Sequence, residues 1–240
     1  MIKISPLAVV ETQNIGDGTV IDEFCVIRNN VIIGRNVHIF PHVLISSGTV
    51  IGDNTRVYSG SIIGKEPDGA GAIERKIHFM EHINVGKNCA IGPYAVIYFD
   101  VTIGENTLIG DACSIREQST IGQNCVIGRH VTINYEVIIG DRTKVMDHSW
   151  LAGNMKIGSG VFISGGVMTS NDNSMGNEKF NAEQDMGATI RDGATLGINS
   201  GVLPGVTIGE NSIIGAGALV TKDVRSGAKV MGLPAREVKK

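Results

Sequence analysis

The chain has 240 residues, 42% hydrophobic but only 5% aromatic, with 32 glycines and a formal charge of −3. That mild acidity argues against a general nucleic-acid or membrane-surface binder, and no apolar run reaches membrane-spanning length. The N-terminus MIKISPLAVV lacks a signal-peptide pattern, so a reducing cytoplasmic setting is expected, with Cys25, Cys89, Cys113 and Cys125 as core thiols rather than a disulfide or metal set.

From the start, an aliphatic residue recurs at every sixth position: Val9, Ile15, Ile21, Ile27 and onward to Ile63. The pattern resumes at Val85 and runs unbroken to Ile163, then returns from Ile190 to Val220. A fixed short period outranks any local reading of helix or strand. A step of six cannot be a helical stripe, which needs spacings of three and four. It suits a short strand followed by a tight corner, with the aliphatic side chain pointing inward. Three such sides close a triangular coil of eighteen residues, and each inward residue stacks on those eighteen before and after. Burying one Ile contributes roughly 1.5–3 kcal/mol, so this stack is the core. The runs hold ten, fourteen and six rungs, which predicts an all-β helix of about ten coils over residues 1–220.

Two stretches break the period. Residues 65–84 (KEPDGAGAIERKIHFMEHIN) and 170–188 (SNDNSMGNEKFNAEQDMGA) read as extruded loops, which inside a compact domain are usually functional. The last twenty residues, 221–240, carry six Lys or Arg against two acids. They are expected to cap the open end of the stack and to bind an anion.

Chemistry is expected where the pattern abandons its own rule. In the middle run, column one (Val85, Ile103, Ile121, Ile139, Ile157) is always followed by Gly, and column two (Ile91, Ile109, Ile127, Val145, Ile163) is followed by Gly in its first three coils. Column three (Ile97, Ile115, Ile133, Leu151, Thr169) never is. Its corners read Tyr98-Phe99-Asp100, Arg116-Glu117-Gln118, Asn134-Tyr135-Glu136, Ala152-Gly153-Asn154 and Ser170-Asn171-Asp172. Aromatic residues are costly on a purely solvated edge, so this polar and aromatic ladder is the expected substrate site. On column two, His130 and His148 stand eighteen residues apart and should stack on neighbouring coils, as a base, a metal pair or an interface. Trp150 precedes an inward residue and should face outward, which suits a subunit contact.

The whole pattern, with the ending GALVTKDV…VMGLPAREV, resembles the left-handed β-helix, hexapeptide-repeat acyltransferases. The stretches VIYFDVTIGENTLIGDACSIREQSTIG, VTINYEVIIGD and VFISGGVMTSNDNSMG are similar to bacterial sugar-nucleotide N-acyltransferases. The resemblance implies the left hand of the coil, a homotrimer, and sites in the grooves between neighbours. It implies acyl-CoA as co-substrate along the C-terminal coils, no resident metal, and a dTDP- or UDP-linked amino sugar as acceptor, in the biosynthesis of cell-surface glycans. The maltose and galactoside acetyltransferase branch places a catalytic His near the second loop. Here that stretch is Thr169-Ser170-Asn171-Asp172, so that His is absent.

Acyl transfer to an amine needs an unprotonated amine near the thioester carbon, a proton acceptor and an oxyanion donor. Glu117 and Asp100 are the first candidates for the acceptor, Glu117 with its pKa raised between Phe99 and Tyr135 or lowered by Arg116. His148 is the third candidate, presented across a groove by a neighbour. Asn134, Tyr135, Arg116, Tyr98, Asn171 and Asp172 are expected to hold the sugar, and Glu66, Asp68, Arg75 and Lys76 of the first loop the nucleotide. Gly153 or Gly165 would offer the oxyanion N–H, and Lys222, Pro234 and Arg236 would meet CoA. Two other readings are an O-acetyltransferase of a sugar and a β-helical metalloenzyme of the γ-carbonic-anhydrase type. The latter needs three His across an interface.

Overall fold

The computed structural model describes residues 1–174, 181 and 185–238. Short strands, most of two residues, alternate with tight corners and assemble three sheets of 13, 11 and 9 strands. Strand pairing is parallel throughout except at the C-terminal hairpin, and the described residues form a triangular solenoid of about 12 turns with no helix among them. No helix among the described residues is long and apolar enough to cross a membrane.

The eighteen-residue register holds through the middle run. Ile97 pairs with Ile115, Ile115 with Ile133, and Ile133 with Leu151, so column three is one sheet. Columns two and one form the other two, as in the pairings of Ile109 with Ile127 and of Ile103 with Ile121. The inward aliphatics are buried, and the small residues four places on are buried with them. All four cysteines lie there, Cys25 included, unpaired and enclosed. Burial pushes the Cys113 thiol up to about 11, so it stays protonated at neutral pH.

The solenoid is longer than the count of rungs, and its first coil is shorter. Strands Lys3–Ile4 and Lys229–Met231 add a turn at each end. Val10, not Val9, pairs with Ile27, a step of seventeen, and Val9 is 51% exposed. Two adjacent valines hid that slip, because either could hold the inward place. At the other end, strand Arg236–Glu237 turns back antiparallel on Lys229–Met231. Leu219 N–H donates to the Gly232 carbonyl and Ala235 N–H to the Leu219 carbonyl, so this segment covers open edges of two sheets.

The three corners differ. Between columns one and two, Asn36, Asn54, Asn88 and Asn106 take positive φ and form an amide ladder, with Nδ2–Oδ1 distances of 3.2, 3.1 and 3.1 Å. Between columns two and three, the exposed imidazoles of His130 and His148 stack, with centroids 5.1 Å apart. Both excursions leave from the corner between columns three and one. The first follows strand Ile62–Lys65 and ends at Ile83–Val85; the second follows Met168–Thr169 and ends at Thr189–Ile190. Trp150 lies on the outer side of column three but is half-buried and packed against the core rather than open to solvent.

Candidate functional site

The third corner builds outward from Glu117. Its position should face solvent, yet the side chain is 0% exposed. Arg116 donates from Nε to Oε2 at 3.1 Å and from Nη2 to Oε1 at 3.0 Å. Arg75, reaching in from the first excursion, pairs with Oε1 as well. Glu117 is therefore a buried carboxylate between two guanidiniums. Both oxygens are occupied, and no face is open to an amine.

Arg75 is itself 9% exposed, with its guanidinium carbon 3.7 Å from the centroid of the Tyr135 ring. This is cation–π geometry over a half-buried ring. The Tyr135 hydroxyl donates to Asp185 Oδ2 at 2.9 Å and accepts from Asn171 Nδ2 at 3.1 Å. Asn171 Nδ2 also bonds Asp185 Oδ1, and Asn154 Nδ2 donates to the Asp185 carbonyl at 3.0 Å. Burial first, and the Asp185 carboxylate second, push the Tyr135 phenol up to about 12. Gly153 is required beneath it, because an added Cβ would stand 2.5 Å from Cε2 of that ring. Gly153 is thus buried as a seat for Tyr135.

A cavity of about 330 Å³ closes the C-terminal end, and a larger one, about 630 Å³, opens between the two excursions. Glu74, Arg75, Lys76 and His78 of the first excursion line the larger one. Glu136 and Asn154 come from the corners, and Asn181 and Asp185 from the second excursion. Of the expected nucleotide residues, Arg75 and Lys76 are on this wall, while Glu66 and Asp68 are exposed outside it. Asn171 reaches the site through Tyr135 and Asp185. Asp172 accepts from Ser174 N–H at 2.6 Å and turns its own loop.

Tyr98, Arg116 and Asn134 stand in register one after another on the outer edge. The Lys65 ammonium lies 4.3 Å from the Tyr98 centroid. Asp100 accepts from Met80 N–H at 3.3 Å and so anchors the first excursion, away from the cavity wall. Phe99 is buried under Phe79, ring centroids 5.9 Å apart, which explains an aromatic at that corner. His148 and Gly165 belong to the other corner, between columns two and three. Lys222 and Arg236 line the smaller cavity together; Pro234 is exposed nearby. Among the described residues, no group of three or more His, Cys, Asp or Glu is placed to hold a metal.

Glu136 and Asn154 were in the expected ladder without a role of their own, and Asp185 and His78 were not singled out from sequence. Asp185 and His78 sit in the aperiodic excursions, where no register constrains them. Gly153 was the available signal: it is the only glycine directly two places after an inward residue of column three in the middle run, one coil beyond Tyr135.

Residues 14–47 and 187–222 match the bacterial transferase hexapeptide (six repeats) family, and residues 73–183 match the GMPPB C-terminal domain. The "Bifunctional protein GlmU" of Alkaliphilus oremlandii is 30% identical over 217 residues, covering 90% of this chain and 41% of that protein. That of Heliobacterium modesticaldum is 26% identical, covering 84% of this chain and 38% of the relative. The chain thus spans about two fifths of the length of these curated relatives. The solved UDP-N-acetylglucosamine acyltransferase of Francisella novicida aligns over 98% of this chain and 68% of its own, at 26% identity and a TM-score of 0.50.

Proposed function

We propose that this triangular solenoid, two segments of which match the bacterial transferase hexapeptide family, is an acyl-CoA-dependent N-acyltransferase of the left-handed β-helix type. Its acceptor is the amine of a dTDP- or UDP-linked amino sugar, and the group moved is acetyl or another short acyl. The observation that carries the reading is the cavity of about 630 Å³ on the third edge, which presents an imidazole among carboxylates and one lysine. Carboxylates of Glu136 and Asp185 favour an amine at that end of an acceptor. Lys76 at the same wall, with Lys65 and Tyr98 along the edge, suits the diphosphate and the base. The Francisella novicida protein, whose name joins acyl transfer to UDP-N-acetylglucosamine, supports a UDP-linked sugar as the kind of acceptor.

Acyl-CoA has a matching track on the same edge. Register carries position 135 through 153, 171 and 204 to Lys222, four coils on. At about 4.8 Å per coil that is roughly 19 Å, a span suited to an extended pantetheine arm. The cationic end, Lys222 and Arg236, would hold the phosphates while the thioester reaches the cavity. The amine nitrogen attacks the thioester carbon, the C–N bond forms, and the C–S bond breaks to release CoA thiolate. His78 takes the proton lost by nitrogen and the thiolate ends as thiol. His148 could enter only from a neighbouring copy, in the three-fold assembly that the family resemblance implies.

The test is a panel of CoA thioesters crossed with dTDP- and UDP-amino sugars, read by thermal shift and by released CoA thiol. A true ligand at 100-fold its Kd stabilises by about 2.7 kcal/mol. If no pair shifts the melting temperature or releases thiol above background, the reading fails.

A further inference from the structure

We infer that the Glu117 carboxylate is a positioning residue: through Arg75 and Tyr135 it holds both excursions in one arrangement and so sets the width of the cavity. That cavity is the acceptor site only on the reading given above; the coupling itself does not depend on it.

The argument starts with cost. Arg75 belongs to an excursion, where an arginine would ordinarily stay in water, yet its side chain is only 9% exposed. Bringing a guanidinium out of water is expensive unless an opposite charge is waiting. Glu117 is that charge, fully enclosed and fixed to the stack by Arg116. The ion pair leaves the guanidinium flat over one side of Tyr135. The far end of the same ring carries the second excursion, through the hydroxyl bonds to Asp185 and Asn171. Gly153 closes the space beneath, so the ring has no room to slide inward. One tyrosine therefore has an arm of each excursion against it. Asp185 is tied further by Asn154 Nδ2, and Met186 N–H donates to the Asn171 carbonyl at 3.1 Å. The residues joined this way include three on the cavity wall: Arg75, Asn154 and Asp185. A shift of Arg75 thus changes both walls at once.

A contact chain is not by itself evidence of coupling, so the test is directional. Hydrogen exchange is followed by mass spectrometry in wild type, Glu117→Gln, Arg75→Met and Tyr135→Phe. Glu117→Gln and Arg75→Met are expected to speed exchange at least ten-fold in peptides spanning 72–82 and also in peptides spanning 185–188. Tyr135→Phe should do so at 185–188 alone. Unchanged exchange at 185–188 in the first two variants overturns the coupling. If Glu117→Gln does not fold, Arg75→Met, which alters the excursion and not the stack, decides the same point. These readings need no substrate, so they stand whether or not the amino-sugar reading holds. With an active enzyme, Glu117→Gln should raise the acceptor KM ten-fold or more and leave kcat within three-fold. A fall of two or more powers of ten in kcat at unchanged KM would make Glu117 a proton acceptor and overturn the inference.

Discussion

Compare the corner between columns one and two with the corner between columns three and one. In the first, coils nest so closely that a Cβ on Gly104 would stand 2.5 Å from the backbone nitrogen of Gln123. Asparagines at positive φ bond to one another along that edge. In the second, bulk replaces glycine: Tyr98, Arg116, Glu117 and Tyr135 hold the corners apart, and both excursions depart there. The one glycine at these corners in the middle run, Gly153, makes room for a side chain and not for a neighbouring coil. A solenoid repeats its stabilising contacts at every turn, so it can concentrate chemistry on one edge while the others carry the fold.

The sharpest way to break this division is to attack the stack. Ile127 is 0% exposed within column two. Ile127→Asp places a charge there without a partner, a burial no coil can offset. No soluble folded protein is expected by circular dichroism and gel filtration; a normal fold would show that this register does not point inward.

On the third edge the largest effect should come from His78. His78→Ala is expected to lower kcat by roughly 10²–10⁴-fold, the usual worth of a general base, with an unchanged melting temperature. A variant with full kcat would remove the imidazole from the chemistry.

Two alanine substitutions sharpen the contrast. Gly104→Ala forces backbone apart in the closed corner and should cost about 1–3 kcal/mol in denaturant unfolding, without altering the acceptor KM. Gly153→Ala should displace the Tyr135 ring and raise that KM. Equal effects of the two on KM would erase the distinction between the edges.

The smallest effect concerns Tyr135. Its phenol, held up to about 12 by burial and Asp185, keeps its proton while an unfolded tyrosine loses its own near 10. The folded state binds the extra proton across that window, so stability falls as pH rises from about 10 to about 12. Thermal melts should show a shallower decline over that range in Tyr135→Phe than in wild type. Matching slopes would show that the ring is not enclosed.

The division of labour was half legible in the sequence. A six-residue period determines which side chains point inward, and eighteen-residue columns determine which corners stack, so the sheets and the third edge followed. The slip at Val9 and Val10 did not, because both residues satisfy the same apolar requirement. The full enclosure of Glu117 was not legible, because its second partner, Arg75, lies 42 residues away in an aperiodic segment. Spacing shows Arg116 beside it and Tyr135 a coil later, but not a second guanidinium arriving from an excursion. Asp185 escaped for the same reason.

The most direct measurement of where the chemistry sits is a crystal structure with a reactive amino-sugar nucleotide bound. The sugar nitrogen should lie within hydrogen-bond distance of the His78 imidazole, with Glu136 and Asp185 around it and the nucleotide running toward Lys65 and Tyr98. A sugar bound instead at the corner of His130 and His148, with the cavity between the excursions empty, would contradict the account.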